Sequence, residues 1–235
     1  MRRTVSAVVA FGLVLGAAPA LADVGLAVGG GSMVVPDRSY DPFSQNDNLG
    51  VGMLSIRAAP FRKGVLAGLG FEAAYAGGTA SDAVWGEFDT NLTLNILSFG
   101  PSYRREVTDW FVPYGRLLLS VAWGDVGVKS TADNAVDDSA TAFGGSLALG
   151  FELLMPRRVL YPDTGRKDAW YKPDNFGVFF EAGYGIYDAL VFSRANVPEI
   201  EGEGAGKASY RPAGPALGSL SLSGPTIRTG FVANF

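Results

Sequence analysis

The chain of 235 residues contains no cysteine and no histidine. Without cysteine it forms no disulfide, and thiol chemistry is excluded. Without histidine it lacks the side chain best suited to general-base catalysis near neutral pH, because the imidazole pKa is about 6.5. Histidine-dependent hydrolase mechanisms are therefore excluded. We predict no catalytic residue, no cofactor and no metal site.

Two groups of carboxylates are the remaining candidates for chemistry. Asp133, Asp137 and Asp138 offer the oxygen ligands that calcium prefers, but their spacing matches no EF-hand and favours a solvated loop. Glu72 and Glu152 form the kind of carboxylate pair that hydrolyses glycosides. We expect both to point into a filled interior without substrate access. The sequence therefore predicts that the protein is not an enzyme.

Charge and long apolar runs are both scarce. Only 18% of the residues are charged, and no window supplies the roughly 20 apolar residues that a membrane helix of the mature chain needs. With 32 glycines and 15 phenylalanines, the composition is too apolar for disorder and too rich in glycine for a helical fold. If the chain spans a bilayer, it does so with strands.

The beginning of the chain has the pattern of a secretory signal peptide. Two arginines precede an apolar run over residues 5–18, and Ala20 and Ala22 are the small residues of a cleavage site. We expect cleavage of residues 1–22 and a mature barrel domain over 23–235. Without the two arginines, 17 basic residues face 23 acidic ones, so the formal net charge moves from -4 to -6. Such an acidic chain is a poor partner for nucleic acid.

Alternation of apolar and other residues with a period of two runs along most of the mature chain and predicts eight strands. In the second, the apolar phase shifts by one residue between Met53 and Leu54, which predicts a bulge. In the fourth strand, one set of alternate residues is expected to face outward and the other set inward. The outward set is Phe88, Thr90, Leu92, Leu94 and Ile96, and the inward set is Glu87, Asp89, Asn91, Thr93 and Asn95.

Polar segments rich in Pro, Gly, Ser and Asp predict the connections. Longer loops are expected at one end of the strands and shorter turns at the other, with the connection over 156–175 as an exception. An even number of strands places both termini on one side, the periplasmic side of an outer-membrane barrel. The long loops are 36–48, 77–83, 129–139 and 193–218, and the short turns are 60–64 and 106–109.

The last nine residues, 227–235, alternate in the same way and stop at an aromatic residue. This end resembles the closing strand of bacterial outer-membrane barrels, in which an alternating strand with a terminal Phe is the recognition signal for the barrel-assembly machinery. The resemblance implies that role for Ile227, Phe231 and Phe235.

The layout as a whole, with the stretches 98–104 and 112–115, resembles the small eight-stranded outer-membrane proteins of the OmpA-like and OmpW-like type. The resemblance implies an all-β fold, namely a closed antiparallel up-and-down transmembrane barrel. It also implies a location in the outer membrane of a Gram-negative bacterium, in contact with outer-membrane lipids and lipopolysaccharide. A structural or surface-interaction role is expected. The alternatives are a narrow channel for small or hydrophobic solutes and a soluble periplasmic barrel with a ligand cavity.

A barrel of eight strands has an interior that side chains fill. Charges in that interior are tolerated only when they are paired, so we predict a salt-bridge network along the barrel axis. Its members are Arg57, Glu72, Arg116, Glu152, Glu181 and Arg228, with Glu87 and Asp89 at the rim. Aromatic girdles are expected at both membrane interfaces. The periplasmic girdle is Phe99, Tyr103, Trp110, Phe111, Phe176 and Phe235, and the outer girdle is Phe71, Tyr75, Trp85, Trp123, Phe143, Tyr184 and Tyr187.

Overall fold

The computed structural model describes residues 23–44, 46–60, 66–84, 88–130, 135–156, 159, 173–192 and 218–235. Most of this part of the chain lies in strands. They are β1 (Asp23–Val34), β2 (Asn48–Ala59), β3 (Leu69–Val84), β4 (Phe88–Arg104), β5 (Phe111–Ser130), β6 (Ala135–Pro156), β7 (Asn175–Tyr187), β8 (Leu190–Phe192), β9 (Gly218–Leu220) and β10 (Gly224–Asn234), with one 3₁₀ turn at Arg38–Tyr40. No helix within these ranges has the length and apolar character needed to cross a membrane.

Eight of the described strands close into one antiparallel barrel in the order β1-β10-β7-β6-β5-β4-β3-β2, while β8 and β9 pair with each other in a separate two-stranded sheet. The ring is completed between β1 and β10, where Val24 of β1 and Phe235, the residue after β10, exchange two backbone hydrogen bonds of 3.2 and 2.8 Å. We call the end with both termini the termini end and the opposite one the loop end. Closure leaves the barrel without an edge strand in its termini half, where the strand backbones are paired on both sides, as hydrocarbon demands. Toward the loop end, within the described residues, 78–84 of β3 pair only with β4 and 135–143 of β6 pair only with β5.

Two segments predicted as loops lie largely in strands. Residues 77–83 belong to β3, which stays paired with β4 as far as Val84 and Phe88. β5 and β6 likewise extend into 129–139. The small polar residues of these segments resemble a loop in sequence, but they are the outward face of long hairpins. Residues 193–217 and most of 156–175 lie outside the described residues.

The predicted bulge in β2 is wrong, because its pairing with β1 and β3 continues without interruption. The phase shift has another cause. Toward the loop end the inward residues are apolar and the outward ones are glycine. Toward the termini end the inward residues are Ser55 and Arg57, and the outward ones are Leu54 and Ile56. The strand stays regular, but its large apolar residues change from the inner face to the outer face at this level.

Outward residues in register show where the exterior changes. One row is wholly apolar: Val28, Leu54, Tyr75, Leu97, Val121 and Phe143. One step toward the loop end the row is Gly30, Gly52, Gly77, Asn95, Trp123 and Thr141. The next is Thr79, Thr93, Asp125 and Ser139. We call the apolar exterior the belt, and we call the boundary between the row of Val28 and the row of Gly30 the belt edge.

Most strands place their large apolar residues on the outer face, as predicted. Leu119 is 75% exposed, and Leu149 and Phe231 are also exposed. β4 is the exception, because Leu92, Leu94 and Ile96 point inward and Leu94 is only 1% exposed. The two faces predicted for its first half are therefore reversed: Asp89 and Asn91 are exposed to solvent. This half of β4 lies beyond the belt edge, where the outside is wet and the inside is dry. Glu87 lies outside the described residues.

The aromatic girdles need two corrections. Phe71 lies near the termini end, where its ring stacks on Phe99 with centroids 6.1 Å apart. Tyr187 points inward and is buried. Tyr75, predicted for the outer girdle, lies in the last apolar row, with its ring 6.5 Å from that of Trp123. Trp85 lies outside the described residues.

Candidate functional site: a filled lumen

The termini half of the lumen holds a layer of charged side chains, to which each of the eight barrel strands contributes one residue; seven are largely buried and the Asp23 side chain is 32% exposed. In strand order these are Asp23, Arg57, Glu72, Arg104, Arg116, Glu152, Glu181 and Arg228. Inward positions on neighbouring strands meet in a barrel this narrow. The layer forms two clusters, one around Glu152 and one around Arg116.

The Glu152 cluster joins opposite walls of the barrel. Arg57 donates from Nη1 to Glu152 Oε1 over 3.2 Å. Arg104 donates to the other carboxylate oxygen from both Nε, at 3.1 Å, and Nη2, at 2.8 Å. Arg57 also donates to Asn234 Oδ1 at 2.8 Å, and Asn234 in turn donates to Asn175 Oδ1 at 2.6 Å. This cluster closes the lumen at the termini end.

The Arg116 cluster lies next to it. Arg116 donates to both Glu72 and Glu181, with 2.6 Å between Nη2 and Glu181 Oε1. Tyr114 donates its hydroxyl to Glu181 Oε2 over 3.2 Å. Arg228 is the outlying member, with a single 3.4 Å contact to the same glutamate. A cavity of only about 30 Å³ lies between the clusters, which is room for little more than a water molecule.

All six residues predicted for the network lie in this layer. The sequence prediction missed Arg104 and Asn234. Arg104 occupies the same face of β4 as Ser98 and Ser102, so the reversed assignment of that strand placed it outside. Assigning the faces of β4 from its termini half, where Ser98 and Ser102 point inward, would have placed Arg104 inside. Asn234 alternates with the outward residues of β10, and its neutral side chain gave no warning of a buried role.

Above the charge layer the lumen changes to a dry core. Ser98 and Ser120 share a hydrogen bond of 2.8 Å at the boundary. Beyond them most inward residues of the barrel strands are apolar or glycine, with the buried hydroxyl groups of Thr90 on β4 and Thr226 on β10 as exceptions. The buried core of the loop half includes Met33, Leu49, Val51, Met53, Leu92, Leu94, Ile96, Ala122, Val126 and Ala142. Its character is that of a soluble barrel, with apolar residues inside and polar residues outside.

A cap made of three chain segments covers this core at the loop end. It consists of residues 35–44, β8 and residues 218–223. Its buried residues are Val35, Tyr40, Phe43, Leu190, Phe192, Leu220 and Leu222. Tyr40 donates its hydroxyl to the carbonyl of Asn48 at 3.3 Å, and Ser223 donates to the carbonyl of Tyr187 at 3.2 Å.

Asp37 joins two of the cap segments. Its carboxylate accepts hydrogen bonds from the backbone N–H of Ser39 at 3.0 Å and of Ser221 at 2.7 Å. Partial burial opposes ionisation of Asp37. The hydrogen bonds from Ser39 and Ser221 outweigh it and hold the pKa of this carboxyl below its usual range. The charged form is therefore the one that fastens the cap.

The loop end is acidic. Its described residues include Asp37, Asp41, Asp47, Asp82, Asp89, Asp125, Asp137, Asp138 and Asp188, against Arg38 and Lys129. Within the described ranges no three such side chains converge as metal ligands. Asp133 lies outside those ranges.

The residues proposed for assembly line the closing strand. Ile227 and Phe231 are exposed on the outer face of β10, and the ring of Phe231 stacks on Phe176 with centroids 5.9 Å apart. Phe235 follows the strand and pairs with Val24 through the backbone. Ala20 and Ala22, the expected cleavage site, lie outside the described residues.

No protein-family model matches the sequence, and neither does any curated protein. Solved structures are similar. Ail, the attachment invasion locus protein of Yersinia pestis, in complex with the heparin analogue sucrose octasulfate, has a TM-score of 0.50 at 13% identity, with 91% of this chain and 98% of that chain covered. The fold is that of an outer-membrane barrel. The same Ail protein in a second structure (TM-score 0.48, 13% identity, 91% and 98% covered) and Neisserial surface protein A (0.39, 12%, 91% and 96%) are also similar.

At this identity the likeness to Ail shows the fold alone. It confirms the predicted all-β eight-stranded barrel and the resemblance to small outer-membrane proteins. Together with the belt, it supports the predicted outer-membrane location.

Proposed function

We propose that this protein is an integral barrel of the outer membrane with a structural or surface-interaction role and a closed lumen. The observation that carries the proposal is the polarity of the wall. Below the belt edge it is apolar outside and charged inside, and above the edge it is polar outside and apolar inside. A wall of that kind suits a barrel that spans lipid with one half and projects into water with the other.

The belt argues against a soluble barrel with a ligand cavity. Large side chains such as Leu119, Leu149 and Ile227 are exposed all round the termini half. A continuous apolar surface of this kind far exceeds the few hundred Å² that soluble proteins expose. Outer-membrane lipids, lipopolysaccharide among them, are the partners that we propose for the belt.

The filled lumen favours a closed barrel over a conduit. A solute crossing it would have to displace both the salt-bridged layer and the dry core beneath the cap. Opening the charge layer would leave carboxylates such as Glu152 buried and unpaired, which typically costs several kcal/mol. We therefore rank the narrow channel second.

The loop end suits a surface-interaction role. Ail is known in complex with a polyanion, a heparin analogue. Here nine described aspartates face two basic residues at the same end, so a polyanion would be repelled. Charge complementarity favours a partner with a basic surface.

Planar-bilayer recording with the purified protein tests the closed lumen. We expect no steady single-channel steps from protein shown to be inserted by protection of the belt from protease. Regular steps would select the conduit instead. Recovery of the protein from the soluble periplasm without detergent would select the ligand-binding barrel.

We propose the barrel-assembly machinery as the partner during biogenesis, with Ile227, Phe231 and Phe235 as the residues it recognises. Ile227 and Phe231 are exposed on the outer face of the closing strand, and Phe235, which is half-buried, lies at its end. Phe235→Ser is expected to lower the fraction recovered in the outer membrane. An unchanged fraction would remove Phe235 from the signal.

A further inference from the structure

A groove of about 610 Å³ lies on the outer surface of β2, β3 and β4, at the belt edge. Its floor is formed by Gly52 and Gly77, which are paired across β2 and β3. Leu54 and Tyr75 form its wall on the belt side, and Asn95 borders the floor on β4. Thr79 and Thr93 form the wall toward the loop end. We call it the edge groove.

Packing does not require the glycine at position 52. A Cβ placed on Gly52 would meet nothing nearer than the carbonyl oxygen of Gly77 at 3.9 Å, and one on Gly50 would meet nothing within 4 Å. At Gly31, in contrast, a Cβ would collide with the backbone carbonyl of Ile227. Gly31 thus lets strands approach closely, whereas Gly52 leaves open surface on the exterior. Open surface of this kind at the edge of an apolar belt is a place for a ligand.

The polar groups of the edge groove suit a ligand rich in hydroxyl groups. Tyr75 donates its hydroxyl to Asn95 Oδ1 at 2.5 Å, so the amide Nδ2 of Asn95 is oriented as a donor. Thr79 and Thr93 add two hydroxyls, each a donor and an acceptor. The centroid of the Trp123 ring, which lies outside the lining of the groove, is 6.5 Å from that of Tyr75. Aromatic faces beside amide and hydroxyl groups offer both the apolar and the polar contacts that a sugar ring requires.

Charge narrows the ligand class further. The lining of the edge groove contains no Asp, Glu, Lys or Arg. A phosphate or an ammonium group would lose its hydration there without gaining an ion pair. The ligand is therefore uncharged where it contacts the groove.

Continuity with the belt identifies the source of the ligand. Leu54 and Tyr75 belong both to the groove and to the last apolar row, which continues through Leu97. We propose that the edge groove binds the uncharged sugar headgroup of a membrane glycolipid whose acyl chain lies on the belt. This inference rests on the proposed function, since it needs the barrel to be surrounded by lipid.

Titration with simple amphiphiles tests the ligand class. The full-length protein is held in phosphatidylcholine nanodiscs, and the NMR signal of the Asn95 side-chain amide is followed. Dodecyl maltoside, kept below its critical micelle concentration, is expected to give a saturable shift. Dodecylphosphocholine, with the same chain, and maltose, with the same sugar, are each expected to bind at least about tenfold more weakly. An equal response to dodecylphosphocholine would refute sugar recognition, and an equal response to maltose would refute the lipid source.

Two glycine variants on one strand locate the site. Gly52→Leu fills the groove, whereas Gly50→Leu places the same side chain on the same face one step beyond it. Both positions have room, so both variants are expected to fold. Gly52→Leu should weaken dodecyl maltoside binding at least about tenfold, while Gly50→Leu should bind like the wild type. Unchanged binding by Gly52→Leu would overturn the inference. Insertion and the absence of conductance would still stand in that case, so the proposed function can survive its failure.

Discussion

Removal of the Arg116 guanidinium is the sharpest test of the charge layer. Arg116 is 4% exposed and donates to Glu72 on one side and Glu181 on the other. Arg116→Met keeps most of the side-chain volume and deletes the charge. Glu181 retains Arg228 and Tyr114 in this variant. Glu72 loses its ion-pair partner while its side chain stays 7% exposed.

The expected loss follows from that geometry. Each charge-assisted hydrogen bond contributes roughly 1.5–3 kcal/mol. Breaking a buried pair from one side typically costs about 3–5 kcal/mol, because a carboxylate is left buried and uncompensated. Neither partner is exposed enough for solvent to screen the pair. We expect the free energy of unfolding to fall by about 3–5 kcal/mol at pH 7.

Urea unfolding in lipid vesicles, followed by tryptophan fluorescence, measures this loss. Arg228→Met is the matched control, since it removes the same group from a single 3.4 Å contact at the margin of the same cluster. Its loss should be about 1 kcal/mol, below the range for a well-formed charge-assisted hydrogen bond, because the 3.4 Å contact is long. Adding Glu72→Gln to Arg116→Met should recover part of the larger loss, because no unpaired charge then remains at position 72. A loss below about 1 kcal/mol for Arg116→Met, or no recovery in the double variant, would show that the layer is not a coupled network.

Three further predictions concern the belt, the barrel seam and the cap. Leu119→Arg, within the belt, is expected to lower the free energy of unfolding in lipid by about 2–4 kcal/mol. Thr93→Arg, above the belt edge, is expected to lower it by no more than about 1 kcal/mol. Equal losses in urea titrations would show that the belt edge is wrongly placed. Gly31→Ala should abolish the folded form on unheated gels, whereas Gly50→Ala should fold normally. Asp37→Asn should speed hydrogen exchange of the Ser221 amide at pH 7. The pKa of Asp37 is lowered on folding, so the stabilisation by its carboxylate is fully present above the unfolded pKa of about 3.9 and is lost as pH falls through the folded pKa. The exchange rates of the variant and the wild type should therefore converge once the pH is below the folded pKa.

The barrel could be predicted from sequence because period-two alternation survives in every long strand. The charge layer could be predicted for a related reason, since residues such as Arg116 and Glu181 cannot face lipid. Both inferences need only the difference between the two faces of a strand. Near the termini end, large apolar residues consistently face outward and charged residues inward.

The reversed half of β4 could not be predicted in that way. Alternation shows that Leu94 and Thr93 face different media, but it does not show which medium is inside. The apolar face of the strand changes from outward to inward at the belt edge, where water replaces lipid on the exterior. In β2 the same inversion, at Met53 and Leu54, was interpreted as a bulge. A phase change without a break in pairing is better interpreted as the level at which the barrel leaves the membrane.

The cap was missed because no local pattern encodes it. Tyr40, Leu190 and Leu222 come from three segments far apart in sequence. The segments of Tyr40 and Leu222 have the composition of a loop, and Leu190 lies in an apolar run that the sequence predicts as the end of the seventh strand. Only the open end of a dry core brings them together. The edge groove was missed for a similar reason, since Gly52 and Gly77 are ordinary glycines until pairing aligns them.

The bond between Arg57 and Glu152 joins strands at opposite points of the ring, because β2 and β6 are four strands apart in either direction. A flat, open sheet of the same strands therefore holds these two side chains apart. Any such intermediate within lipid would present a bare guanidinium and a bare carboxylate to hydrocarbon, at a cost of several kcal/mol. Closing the ring brings the two side chains together and removes that cost, so the charge layer favours the completed barrel over an open sheet within lipid.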